Sequence, residues 1–172
     1  MFMMKGTTMG AAWLNAVAVS IGLSLSIGMS SLAQAQGQHL PGVSIKITPS
    51  STSISSGETL SVSVTLTNSS GRTLSLDSCE ANRTLAVVSV QNAAGKSPPM
   101  KSDAFRILCS SRGESTPIPS GSSITVSGSV TAAWDLSQTG VYSLSKTVEL
   151  YDQALQKYTY TAVPVHVTVV QP

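Results

Sequence analysis

The sequence predicts an all-β protein, an antiparallel β-sandwich of seven to eight strands behind an export leader. Three observations carry this. Leu60, Val62, Val64 and Leu66 alternate with Ser61, Ser63, Thr65 and Thr67, the period of a strand with one buried face. Charged residues are only 10% of the chain while Ser, Thr and Val recur, the usage of strands whose outer face is neutral and polar. Turn residues punctuate the chain at sandwich spacing, and no useful helical period follows the leader.

The first 35 residues read as a leader. Lys5 is their only charge, an apolar run extends from Ala11 to Leu32, and Ala33-Gln34-Ala35 is a small-x-small cleavage signal, which places cleavage after Ala35. Ala11 to Leu32 is long enough to span a bilayer, so the chain meets a membrane only if the leader stays uncleaved. Repeated Ser residues and the cleavage site favour removal. No cysteine lies near that site, which disfavours a lipid anchor. The expected organisation is a leader at 1–35, a short lead at 36–42 and one β domain at 43–170, exported to the periplasm or beyond.

Ten Lys and Arg stand against eight Asp and Glu, and Lys5 belongs to the leader, so the remainder lies within one charge of neutral. Its basic residues are scattered without aromatic interleaving, which excludes a nucleic-acid groove.

Val43 to Thr48 alternates and is stopped by Pro49, as expected of a first edge strand. Ser55-Ser56-Gly57-Glu58 is a turn, and Leu60 to Thr67 is the clearest core strand. Asn68-Ser69-Ser70-Gly71 is a second turn, read as a hairpin into Thr73 to Leu76. Leu85 to Val90 is a nearly continuous apolar run, read as a strand with both faces partly covered and ended by Asn92-Ala93-Ala94-Gly95. From Lys96 to Pro119 the chain reads as an irregular connection apart from Phe105 to Leu108. Loops of that length in compact domains are commonly functional.

After the turn Ser120-Gly121-Ser122, alternation runs from Ile124 through Val130 to Ala132. Trp134 to Leu144 delivers a tyrosine from a turn into the next strand: Asp135 is expected to cap the turn, Gly140 precedes the strand, and Tyr142 is placed to bond back to the turn backbone. Tyr142, Leu144, Val148 and Leu150 share a face with Lys146, which is expected to reach solvent along its stem. In the last strand the apolar parity changes between Ala162 and Val163, which calls for a bulge near Pro164 or a move between sheets.

Gly57 to Ser70, Pro119 to Ser122 and Trp134 to Ser137 with Gly140-Val141-Tyr142 together resemble secreted bacterial immunoglobulin-like domains, which carry a G-E-x strand, a P-x-G turn and a D-L-S-x-x-G-x-Y corner. The order is also similar to the bacterial intracellular proteinase inhibitor family, from which this chain departs in its leader and its two cysteines. The resemblance spans roughly residues 43 to 170 and implies an immunoglobulin-like sandwich. Its residues set the fold and transfer no activity.

Cys79 and Cys109 are the only cysteines, and in an exported domain an even pair reads as one disulfide, contributing about 3–4 kcal/mol if unstrained. Two separate thiols are the alternative. His166 reads as a solvent-facing strand residue. His39 lies near the new amino terminus but at the fourth position, not the third that amino-terminal copper chelation requires. Trp134 reads as core and not as a sugar platform. No G-x-S-x-G elbow or comparable motif is present, and no enzyme or cofactor is expected. Asn68-Ser69-Ser70 and Asn82-Arg83-Thr84 are glycosylation sequons in a host with that machinery.

The expected function is a non-enzymatic, exported module that binds another envelope or extracellular protein, or is structural in the envelope. Its contact surface is either the connection from Lys96 to Pro119, with Arg112, Glu114, Pro117 and Pro119 exposed on it, or the edge Val43 to Thr48 by strand addition. The alternative is a proteinase inhibitor laying Glu114 to Ser120 across a protease cleft, and a weaker one is a periplasmic metal handler using His39.

Overall fold

Alternation is cleanest at Ser61–Asn68 (β3), and one sheet is built on it. β3 pairs antiparallel with Val43–Pro49 (β1) on one side and Ser122–Ser129 (β7) on the other, in the order β1-β3-β7. Val62, Val64 and Leu66 turn inward at 0 to 1% exposure, while the alternate hydroxyls pair outside as Ser63–Ser127, Thr65–Thr125 and Thr67–Ser123. These contacts come from a computed structural model that describes residues 39–101 and 114–172. The expected leader with its cleavage site, the Phe105 to Leu108 run, Cys109 and Arg112 lie outside the described residues.

The remaining strands are Ser53–Ser55 (β2), Leu74–Asp77 (β4), Ser89–Asn92 (β5), Ser115–Ile118 (β6), Gly140–Ser145 (β8), Thr147–Tyr151 (β9), Lys157–Thr161 (β10) and Val165–Val170 (β11). They form two four-stranded sheets, β10-β9-β4-β6 and β2-β11-β8-β5. The two meet end to end. Only Lys146 separates β8 from β9, and Ala162 to Pro164 separate β10 from β11. Ala162 N–H donates to the Lys146 carbonyl at 2.8 Å, so the ladder crosses both interruptions at the same level. The parity change expected near Pro164 is therefore a passage between sheets: Tyr158, Tyr160 and Ala162 are buried before it, Val163 is 82% exposed at it, and Val167 and Val169 are buried after it.

All three sheets send their inward residues into one core, with Leu60, Leu66, Leu74, Leu76, Leu85, Ile118, Leu144 and Leu150 among its fully buried members. Each such side chain removed from water contributes roughly 1.5–3 kcal/mol before entropy is counted. The fold is all-β and mostly antiparallel, β2 on β11 being the parallel pair. Ten residues after β1 begins, the chain has passed to a different sheet, since β1 lies on β3 and β2 on β11.

Six sequence expectations are corrected, the first being the strand count, since the described residues form eleven strands where seven to eight are expected. The turn after β3 does not make a hairpin, because β4 pairs with β6 and β9 in a different sheet. Asn68 explains the crossover. It is wholly buried, its Nδ2 donates to the carbonyls of Arg72 (2.8 Å) and Ile118 (2.7 Å), and its Oδ1 accepts from the Ser70 backbone and hydroxyl. A buried amide with every group satisfied fixes one path for the chain. It also removes this asparagine from the surface as a glycan acceptor.

Leu85 to Val88 is not strand. Glu80–Thr84 forms a π-helical turn closed by Leu85 N–H on the Glu80 carbonyl, and pairing begins only at Ser89. Leu85, Ala86 and Val88 are all buried, and a continuous apolar run does not distinguish a buried turn from a buried strand. Gly128 of β7 permits that turn to lie close, since a Cβ there would stand 3.0 Å from Ala86 Cβ.

Alternation in β7 ends at Ser129, whose hydroxyl accepts from Ala132 N–H and caps a single helical turn at Val130–Ala133 (α1). Ser115 to Ile118 is strand, not loop, because Ile118 is core and Pro117 sits on an edge strand, where no ladder hydrogen is missed. Lys146 does not run out into solvent along its stem but keeps only 11% of its side chain exposed. Its ammonium lies inward, 3.0 Å from both the Thr84 carbonyl and Glu80 Oε1.

Candidate functional site

Trp134, Asp135, Gly140 and Tyr142 build one end of the domain. Trp134 leaves α1 in extended conformation, buries its ring at 9% exposure and donates Nε1–H to the Val88 carbonyl at 3.0 Å. It is core, as its place in the sequence suggests. Asp135 Oδ1 accepts from Ser137 N–H at 3.1 Å and caps the turn. Hydrogen bonds from Ser137, through its side chain and then its backbone, hold the Asp135 carboxyl below the ordinary aspartate range. Gly140 has φ of 146°, a conformation that L side chains rarely adopt. Two residues on, Tyr142 donates its hydroxyl to the Gln138 carbonyl at 2.9 Å, the bond expected of it. Burial, and next the Asp135 charge, raise the Tyr142 phenol.

A second loop lies against this corner. Asn92 Oδ1 accepts from the N–H groups of Ala94 and Lys96, and Gly95 N–H returns to the Asn92 carbonyl, so the loop after β5 is a tight turn. Beyond it the chain is stitched to α1 and its exit. Asp135 N–H donates to the Pro99 carbonyl, Lys101 N–H to the Ala133 carbonyl, and Lys101 Nζ to the Thr131 carbonyl.

Between the corner and this loop run two adjoining depressions that share Asn92, Gln138 and Tyr142. One, of about 190 Å³, is walled by Lys96 to Pro99 and Asp135. The other, of about 260 Å³, opens beside Ala93, Thr139 and Val141. Lys96 and Gln138 are exposed at the rim, and Val141 is a 45% exposed apolar residue beside them. The arrangement offers amides, the Lys96 ammonium, the Asp135 carboxyl and a proline wall on a braced floor.

The other sequence candidates lie elsewhere. Glu114 precedes β6, its carbonyl accepting from Ser78 N–H, while Pro117 is opposite Ser75 within β6 and Pro119 is exposed after it. They belong to a different sheet from the corner. Cys79 is buried at the start of the π-helical turn, where Asp77 Oδ1 accepts from its N–H and that of Glu80. His39 is exposed with its ring 5.0 Å from that of Tyr160, and His166 is exposed on β11. No group of three metal-binding side chains occurs among the described residues.

Sequence reasoning missed a polar cluster at the β9–β10 turn. Asp152 Oδ2 accepts from Tyr158 OH at 3.1 Å and lies 3.6 Å from Arg72 Nη1, while its Oδ1 accepts from the N–H groups of Ala154 and Gln156. The Gln156 hydrogen bond leads in lowering the Asp152 carboxyl, and burial leads in raising the Tyr158 phenol. The cluster's charges satisfy one another, and it braces the hairpin. An Asp four residues before a Gln in a turn was the available signal.

No family model and no curated protein matches the chain. Among solved structures, the chain is similar to the X-ray structure of a Northeast Structural Genomics Consortium target, at 13% identity and a TM-score of 0.46, over 75% of this chain and 88% of that one. It is also similar to the crystal structure of a Bordetella pertussis protein described as a putative ApaA protein, at 8% identity and a TM-score of 0.46, over 76% of this chain and 95% of that one. Likeness at this level says nothing about activity.

Proposed function

We propose that this chain is an exported, non-enzymatic module with an immunoglobulin-like sandwich, which binds another envelope or extracellular protein at its loop-bearing end. The supporting observation is the cleft between the Asn92 to Pro99 loop and the Asp135 to Tyr142 corner, with Lys96 and Gln138 exposed at its rim. The bond from Tyr142 to Gln138 and the passage of the chain from β1 to β2 between sheets support the immunoglobulin-like reading. The apolar leader with Ala33-Gln34-Ala35 supports export.

The reading includes a Cys79–Cys109 disulfide, supported by the even cysteine count in an exported chain. Alkylation of the denatured, unreduced protein followed by mass measurement tests it: no adduct is expected, and any adduct would remove the bridge from the proposal.

Binding is tested by capture from the native envelope extract with point variants, because excising 96–119 would remove β6 and the buried Ile118. Lys96→Glu with Gln138→Ala should lose a species that the parent protein retains. Undiminished capture by that double variant would sink the loop-end site.

A further inference from the structure

The described structure has six edge strands, β1, β7, β10, β6, β2 and β5, and five of them are protected in recognisable ways. β1 carries Lys46 and Pro49, β10 begins at Lys157, β6 contains Pro117, β2 has three residues and β5 has four. Charge, proline and shortness are how sheets avoid pairing with strangers. β7 has none of these. It offers eight residues, Ser-Ser-Ile-Thr-Val-Ser-Gly-Ser, without charge or proline, and among the described residues nothing pairs with its outer edge.

A second observation concerns the core side of the same strand. Ile124 and Val126 point inward but are only half-buried, whereas the residues paired with them on β3, Leu66 and Val64, are 0% exposed. Among the described residues, apolar cover therefore thins at the strand whose outer edge none of them pairs. An added strand would satisfy the edge and cover Ile124 and Val126 together.

We propose that the added strand is β7 of a second copy, antiparallel about a two-fold axis at Thr125. An isologous interface needs a surface that complements itself, and this strand does. Centring the pair on Thr125 sets Ile124 against the partner's Val126, Ser123 against the partner's Ser127, and Thr125 against the partner's Thr125. Inward residues meet inward ones and hydroxyls meet hydroxyls. That is the matching already present between β3 and β7, whose outer hydroxyls lie 2.7 to 2.9 Å apart. No like charges face one another, since Lys46 lies on β1, with β3 between it and β7. The three-stranded sheet thereby continues through the two-fold axis into its copy.

Sedimentation velocity of the purified protein tests this, with Thr125→Glu and Thr125→Lys as variants at an exposed outer position. The parent protein should sediment as a dimer as its concentration is raised. Each variant places like charges across the axis and should remain monomeric, with unchanged circular dichroism. An equimolar mixture of the two should regain the dimer, because the carboxylate introduced in one variant then faces the ammonium introduced in the other. A parent protein that stays monomeric overturns the proposal, as does a dimer that survives in both variants or a mixture that fails to associate.

Discussion

Lys146 Nζ and Glu80 Oε1 lie 3.0 Å apart, with side-chain exposures of 11% and 21%, in a gap between β8 and β9. The same ammonium donates to the Thr84 carbonyl, so one lysine ties a strand interruption to the far end of the π-helical turn. Removing one partner of a sequestered ion pair leaves the other uncompensated, while replacing both is much milder. Lys146→Ala is expected to lower the unfolding free energy by on the order of 2–4 kcal/mol, and Lys146→Met with Glu80→Gln by less than half as much. Urea denaturation measures both, and equal losses would show that the pair is not what holds the turn.

The corner bond is tested by Tyr142→Phe, which deletes only the hydroxyl on Gln138. A loss of about 1 kcal/mol is expected in the same assay. Trp134→Phe should cost more, about 1–3 kcal/mol, because it leaves the buried Val88 carbonyl without its donor.

Acid stability follows from Asp135 and Asp152, both depressed by hydrogen bonds, from Ser137 and from Gln156 respectively. A carboxyl whose folded value is lowered contributes stability above its unfolded value of about 3.9, and that contribution is lost as pH falls through the folded value. The urea midpoint should therefore hold level from neutrality to mild acid and drop once pH passes below the ordinary aspartate range. Asp135→Asn and Asp152→Asn should each flatten that drop. On the alkaline side, burial raises Tyr142, so its contribution is complete below the ordinary tyrosine value and lost as pH rises through the higher folded one.

Among the described residues Leu155 is the non-glycine residue with positive φ, 59°, and it is 81% exposed at the tip of the β9–β10 turn. A leucine there carries backbone strain of roughly 1–2 kcal/mol without compensating burial. Leu155→Asn, which tolerates this conformation, should stabilise the protein by about 0.5–1 kcal/mol, visible as a higher melting temperature. No rise in melting temperature would mean that the turn carries no such strain.

Much of the fold was legible in the sequence because alternation reports burial directly. β3 and its inward Val62, Val64 and Leu66 were readable, as were the Tyr142 bond, the Asp135 cap and the parity change before Pro164. Other elements were not, for physical reasons. The period of a strand does not say which strand pairs with which, so the Asn68 turn read as a hairpin although it leads into another sheet. Asn68 itself continues the buried parity of Leu66, and that was the signal for its role. Lys146 lay on the buried face as well, but its partner Glu80 is far away in sequence and nothing local pointed to it. Ile118 and Pro117 looked like loop because proline masks alternation in a four-residue strand. The cleft at the candidate site is made by two segments far apart in the chain, so only their meeting in space brings Lys96 beside Gln138.

The gaps at Lys146 and at Ala162 to Pro164 fall side by side, joined by one hydrogen bond. A seam thus runs between the two four-stranded sheets, with β10, β9, β4 and β6 on one side and β2, β11, β8 and β5 on the other. Continuous strands would force the two halves to open together. A seam lets them exchange amide hydrogen as separate cooperative units, with the Lys146 to Glu80 clasp as the rivet between them.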